Sequence, residues 1–259
     1  MHLLLLIILF SLLGGVLSVL AASLFLLVPE RQRIHALPHF ISLATGAMLG
    51  AAFLGLIPNA VTGPYALEFH TLGLTILLGI MGFFILEKMV LWRHCHDESC
   101  EAHVTTDQHR HSAAGTLVLI GDGVHNMVDG VLIAAAFLTD PQLGIITSLA
   151  VAAHEIPQEV GDFALLLHSG YSRGRALFFN MLSSLTTIIG AVVTYYSLQN
   201  SLAVVPYFIA IAAASFIYIA VADLIPSLHK RVEFSETVRQ IVLIALGVGI
   251  IVITHELLH

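Results

Sequence analysis

The chain has 259 residues, 58% of them hydrophobic and only 10% charged, with a mean hydropathy of +0.93. That profile excludes an ordinary soluble domain and indicates a chain threaded repeatedly through a bilayer. The net charge of −7 comes with no basic, aromatic-rich patch, so no nucleic-acid partner is expected.

A spanning helix needs roughly 20 mostly apolar residues. Eight stretches qualify: 3–28, 39–60, 72–92, 114–138, 143–167, 174–198, 204–228 and 236–257. Runs such as Leu3 to Phe10 do not alternate, which excludes barrel strands. The expectation is one all-α transmembrane domain over residues 1–259 with eight helices.

The first stretch exceeds the apolar core of a signal peptide and no Lys or Arg precedes it, so it reads as a retained helix. In the second, Met48 sits within Gly46-Ala47-Met48-Leu49-Gly50, a setting that favours core packing over a thioether ligand. The third ends in Glu87-Lys88, a candidate local ion pair or interface anchor. Beyond it, about 94–112, runs a polar segment with His94, Cys95, His96, Cys100, His103, His109 and His111. Its cysteine spacing is not that of a finger; loose metal capture is the expected role.

The fourth and fifth stretches carry the chemistry. Their motifs are His125-Asn126-x-x-Asp129-Gly130 and His154-Glu155-Ile156-Pro157-Gln158-Glu159. Placing a charged group at the centre of a spanning helix costs roughly 2.5–3.5 kcal/mol on insertion scales, so such residues are seldom incidental. His125 and Asp129, and His154 and Gln158, are one helical turn apart. A tight turn, Thr139-Asp140-Pro141-Gln142, makes the two helices antiparallel neighbours and sets both motifs at one depth. Together they offer two imidazoles, two carboxylates and two amides without a thiolate. That set suits Zn²⁺, Fe²⁺ or Mn²⁺. Pro157 should free the Ala153 carbonyl and kink its helix. Gly130 and Gly161 should allow close helix approach. Asp122, Glu159 and Asp162 extend the polar face toward either surface.

Asp223, near the end of the seventh stretch, is a candidate for an exit path or a basic partner. His255, Glu256 and His259, at the end of the eighth, are entrance candidates or solvated termini. The ten Lys and Arg fall in, or at the helix edges of, the connections between stretches one and two, three and four, five and six, and seven and eight. The positive-inside rule makes those connections cytoplasmic and leaves both termini outside.

The two motifs, with Gly161-Asp162-Phe163 following the second, resemble those of the ZIP (Zrt-, Irt-like protein) metal transporters. The nearest subfamily carries H-E-x-P-H-E on helix five. Phe83 to Lys88, Ser169 to Ala176 and Tyr218 to Pro226 match as well, so the resemblance spans the chain. It implies a three-two-three arrangement of eight helices, divalent-cation movement into the cytoplasm without ATP hydrolysis, elevator-like alternating access and, in some members, homodimers. It also implies one metal site at Met48, His125, His154, Glu155 and Gln158, and an adjoining one at Asn126, Asp129 and Gln158.

Three departures bear on that second site. Gln158 replaces a His or a bridging Glu, Ser183 stands where some bacterial members place a Glu, and Ala51 and Gly55 replace acidic and His residues. One occupied high-affinity site is therefore expected. The leading expectation is a secondary transporter of Zn²⁺, with Fe²⁺, Mn²⁺ or Cd²⁺ as further substrates, in a bacterial inner membrane. Its rivals are a metal sensor and an intramembrane zinc hydrolase. The latter would need the second His of H-E-x-x-H, where this chain has Gln158.

Overall fold

The structure is a computed structural model that describes residues 2–95, 107–230 and 233–258. The side chains of the histidine-rich segment 94–112, and His259, lie outside the described residues. Among those described there are only helices. In chain order they are α1 (His2–Gly14), α2 (Val16–Phe25), α3 (Glu30–Gly50), a π-turn segment (Ala51–Leu56), α4 (Ile57–Ala60), α5 (Phe69–Cys95), α6 (Asp107–Thr139), α7 (Pro141–His168) and α8 (Arg173–Leu198). A 3-10 turn (Leu202–Val204), α9 (Val205–Ile219), a second π segment (Ala220–Leu224), α10 (Ile225–Leu228) and α11 (Phe234–Leu258) complete the chain.

These form eight rods matching the eight predicted stretches. By length and apolar content, seven are able to cross a membrane. The remaining rod, α7, carries His154, Glu155, Gln158, Glu159 and Asp162. It is packed by α1, α2, α3, α6, α8 and α11, so its polar groups are screened by protein rather than lipid.

Several boundaries differ from expectation for local reasons. The first stretch is interrupted at Gly15, where a Cβ would collide with the Ser184 carbonyl and the Thr187 hydroxyl of α8. The second begins at Glu30 rather than residue 39, because Pro38 is carried inside α3. Pro58 and Pro226 lack the N–H that a carbonyl four residues earlier would accept, and each is preceded by a widened π segment. The helix α7 starts two residues before the predicted 143: Asp140 accepts from the Gln142 and Leu143 amides at 2.8 and 3.2 Å, and Pro141 occupies the first turn. It also continues through Pro157.

Two seams are tight enough to need glycine. Gly130 of α6 faces the Thr187 carbonyl of α8, and Gly190 of α8 faces the Met127 carbonyl of α6. Gly46 of α3 faces Ile244 of α11, and Gly247 of α11 faces Leu43 of α3. A Cβ at any of the four would overlap opposing backbone, so these pairs approach as only small residues allow. Gly161 behaves differently from expectation: nothing lies within 4 Å of where its Cβ would be. It faces outward on α7, one residue past the buried Val160.

Candidate metal centre

His125 stands fifteen residues before Asp140 and His154 fourteen after it. At about 1.5 Å of rise per residue, both therefore lie about 21–23 Å from the turn, at equal height on antiparallel rods. This register brings together His125, Asp129, His154 and Glu155, each offering a ligand atom within 4.8 Å of the others. The two Nε2 atoms are 3.3 Å apart. Asp129 Oδ2 lies 3.3 Å from His154 Nε2 and 3.9 Å from His125 Nε2. Glu155 Oε1 lies 3.4 and 3.6 Å from the His125 and His154 nitrogens. Ligand atoms bonded to a tetrahedral Zn²⁺ at about 2.0–2.1 Å are separated by about 3.3–3.4 Å. The cluster is close to that size.

Its electrostatics point the same way. Neither oxygen of Asp129 or of Glu155 has a hydrogen-bond partner, although both side chains are almost wholly buried. A buried carboxylate without donors is costly, and a cation between the two removes the cost. His154 Nδ1 lies 3.1 Å from the Ala150 carbonyl and donates to it, which leaves the Nε2 lone pair directed into the cluster. The His154 ring is also held edge-on to Phe216, with centroids 6.3 Å apart. His125 alone is partly open, its side chain 25% exposed against 1% for Asp129 and His154.

The exposed edge of His125 faces a cavity of about 530 Å³. His125, His154, Pro157 and Gln158 line its deep end, and Asp122, Asp162, Glu87, Tyr218 and Asp223 line the rest. No Lys or Arg is in the lining among the described residues. The lining runs toward the end of the bundle that carries Arg31, Arg33, Lys88, Arg173, Arg175, Lys230 and Arg239. Toward the opposite end the rods meet in a core of fully buried apolar side chains, including Leu56, Leu132, Ile133, Ile146, Ala150, Val151 and Ile209.

The other three sequence candidates are placed differently. Asn126 is turned away, because on a helix it lies about 100° around from His125. Its amide donates to Asp122 Oδ1 at 2.8 Å, and its oxygen accepts from Thr187 of α8 at 2.8 Å. Gln158 lines the cavity one turn beyond His154. Met48 is fully buried in the apolar core beside Ala47, Ala51 and Ala52.

A second buried polar group joins α6, α7 and α8. Ser183 donates to Asp122, and Asn180 donates to Glu159. The partners on α8 were readable only as a stripe, since Asn180, Ser183, Ser184 and Thr187 recur at helical spacing in an otherwise apolar rod. The expected Glu87–Lys88 pair is not formed. Glu87 instead accepts from the Tyr218 hydroxyl, and the Lys88 ammonium lies 5.9 Å from the centre of the Phe84 ring. Adjacent helical residues point to different sides, which sends Glu87 toward the seventh rod and Lys88 outward.

Comparison with known proteins now adds a name for this arrangement. The model of the family described as ZIP Zinc transporter matches residues 92–255, well over half of the chain. Zinc transporter ZIP13 of Pongo abelii is 30% identical over 229 residues, an alignment covering 84% of this chain and 66% of that protein. Zinc transporter zipt-7.1 of Caenorhabditis briggsae is 27% identical over 295 residues, covering 89% of this chain and 74% of its own length. Zinc transporter ZIP10 of Danio rerio is 38% identical over 144 residues, covering 53% of this chain but only 17% of that much longer protein. The chain thus spans between about a sixth and three quarters of these relatives. A multi-pass membrane protein with two paired metal-ligand motifs on neighbouring helices, it belongs to the ZIP family.

Proposed function

We propose that the chain is a secondary transporter that carries divalent transition-metal ions, Zn²⁺ foremost, through the cluster on α6 and α7 into the cytoplasm. One observation carries the reading. Four metal-ligating side chains from two antiparallel rods lie close to tetrahedral spacing, and the buried carboxylate oxygens make no hydrogen bond among the described residues. Two imidazoles and two carboxylates balance a doubly charged ion while they replace its water. The absence of thiolate favours borderline cations and an ion that leaves again.

The route is one-sided in this conformation. The cavity reaches the cluster from the arginine- and lysine-bearing end, which the positive-inside rule makes cytoplasmic. The far side is packed apolar core. The structure is thus read as the state that releases ions inward, and uptake requires a second state open to the other side. One ion per chain is the reading for stoichiometry. Asn126 is committed to Asp122 and Thr187, Ser183 to Asp122, and Gln158 brings no charge to bridge a second ion. The hydrolase alternative fails on family and on the missing second His of H-E-x-x-H. Placement in the plasma membrane remains part of this proposal.

The test is isotope uptake into vesicles containing the purified chain. Wild-type protein should accumulate ⁶⁵Zn, and His125→Ala combined with Glu155→Ala should reduce accumulation to that of empty vesicles. Undiminished uptake in the double variant would rule the route out. Two well-occupied ions bridged through Gln158 would overturn the single-site assignment.

A further inference from the structure

One face of α7 forms a continuous wall along the route proposed above. At about 100° per residue, Thr147, His154 and Gln158 fall within about 40° of one another on the helix, and Leu143 and Ala150 lie along one side of them. The inner half of this face, with His154, Gln158, Asp162 and Leu165, lines the open cavity. The outer half, with Leu143, Thr147 and Ala150, is shut inside the core. Thr147 lies seven residues, about 10 Å, outward of His154.

Thr147 is fully buried, and its hydroxyl has no hydrogen-bond partner. Helical hydroxyls in this protein usually avoid that state by donating back to the carbonyl four residues earlier. Ser42, Thr45, Thr75, Thr139 and Ser148 all do so, at 2.7–3.1 Å. Ser148, the next residue on the same helix, bonds Gly144. An unpaired buried hydroxyl is destabilising, and a valine would fill the same space without that penalty. The surroundings give the hydroxyl no structural partner, while its place gives it a functional one. It is a polar group in the buried outer half of this helix face, about two turns outward of His154.

We propose that Thr147 is an oxygen waypoint for the entering cation. When the outer side opens, its hydroxyl takes the place of one hydration oxygen on a divalent ion passing to His154 and Asp129. The inference rests on the transport reading, and the experiment separates the two.

Thr147→Val and Thr147→Ser are compared with wild type in three measurements: initial ⁶⁵Zn uptake into vesicles, equilibrium Zn²⁺ binding to detergent-solubilised protein, and melting temperature. Removing one neutral oxygen partner should slow Thr147→Val uptake by about five- to tenfold. Its Zn²⁺ affinity should stay within about twofold of wild type, and its melting temperature should be equal or higher. Thr147→Ser should restore the rate. Uptake at the wild-type rate in Thr147→Val would overturn the waypoint while leaving the transport reading intact. So would a melting temperature lowered in step with uptake, which would mark the hydroxyl as structural. Absence of uptake by the wild-type chain would instead sink the transport reading itself.

Discussion

At the scale of single residues, the cluster was legible where helical periodicity alone decides the outcome. His125 with Asp129, and His154 with Glu155, could be placed from spacing and from their equal distance to the turn at Asp140. Asn126 was not legible, because its partners, Asp122 and Thr187, depend on how α8 is rotated against α6. The same is true of Glu87, whose partner Tyr218 lies 131 residues away in sequence. These placements separate ligands from braces. Asn126→Ala should leave two buried acceptor and donor groups unpaired and cost about 1–3 kcal/mol of stability. Its Zn²⁺ affinity by calorimetry should change little. Glu155→Gln, by contrast, removes one of the two charges that balance the ion and should weaken binding by at least tenfold while sparing the melting temperature. A reversed pattern for the two variants would reassign Asn126 to the ion.

At the scale of helices, eight apolar stretches were enough to count the rods, since hydropathy reports burial in lipid or protein alike. Which rods pair was less legible, as glycine is common in spanning helices and only some positions are used. Gly130 and Gly161 follow their motifs at comparable positions, yet one abuts the α8 backbone and the other faces open space. Gly130→Ala should therefore force α6 from α8 and lower the melting temperature by several degrees. Gly161→Ala should be neutral or gain about 0.5–1 kcal/mol from helix propensity. Melting curves of the two variants side by side check this, and equal losses would contradict the packing described. The π segments before Pro58 and Pro226 were also hidden. A proline announces a missing donor, but not whether the chain kinks or absorbs an extra residue in a wider turn.

At the scale of the whole molecule, one-sided access and protonation set the expected behaviour. Both imidazoles must shed their protons to ligate, so acid opposes binding. Each proton that must leave an imidazole before the ion binds can cost up to about tenfold in Zn²⁺ affinity per pH unit of acidification. Calorimetric titration from pH 7.5 to 5.5 should show affinity falling with pH, and a flat profile would argue against paired histidine ligation. The acid-lined chamber below the cluster has a consequence of its own. With Glu87, Asp122, Asp162 and Asp223 in its wall and no Lys or Arg among the described lining residues, we expect it to act as a miniature ion-exchange bed. Departing cargo will linger there until other cations displace it. Turnover should then quicken as luminal potassium or magnesium is raised, making the ionic composition of the receiving compartment a throttle on the carrier.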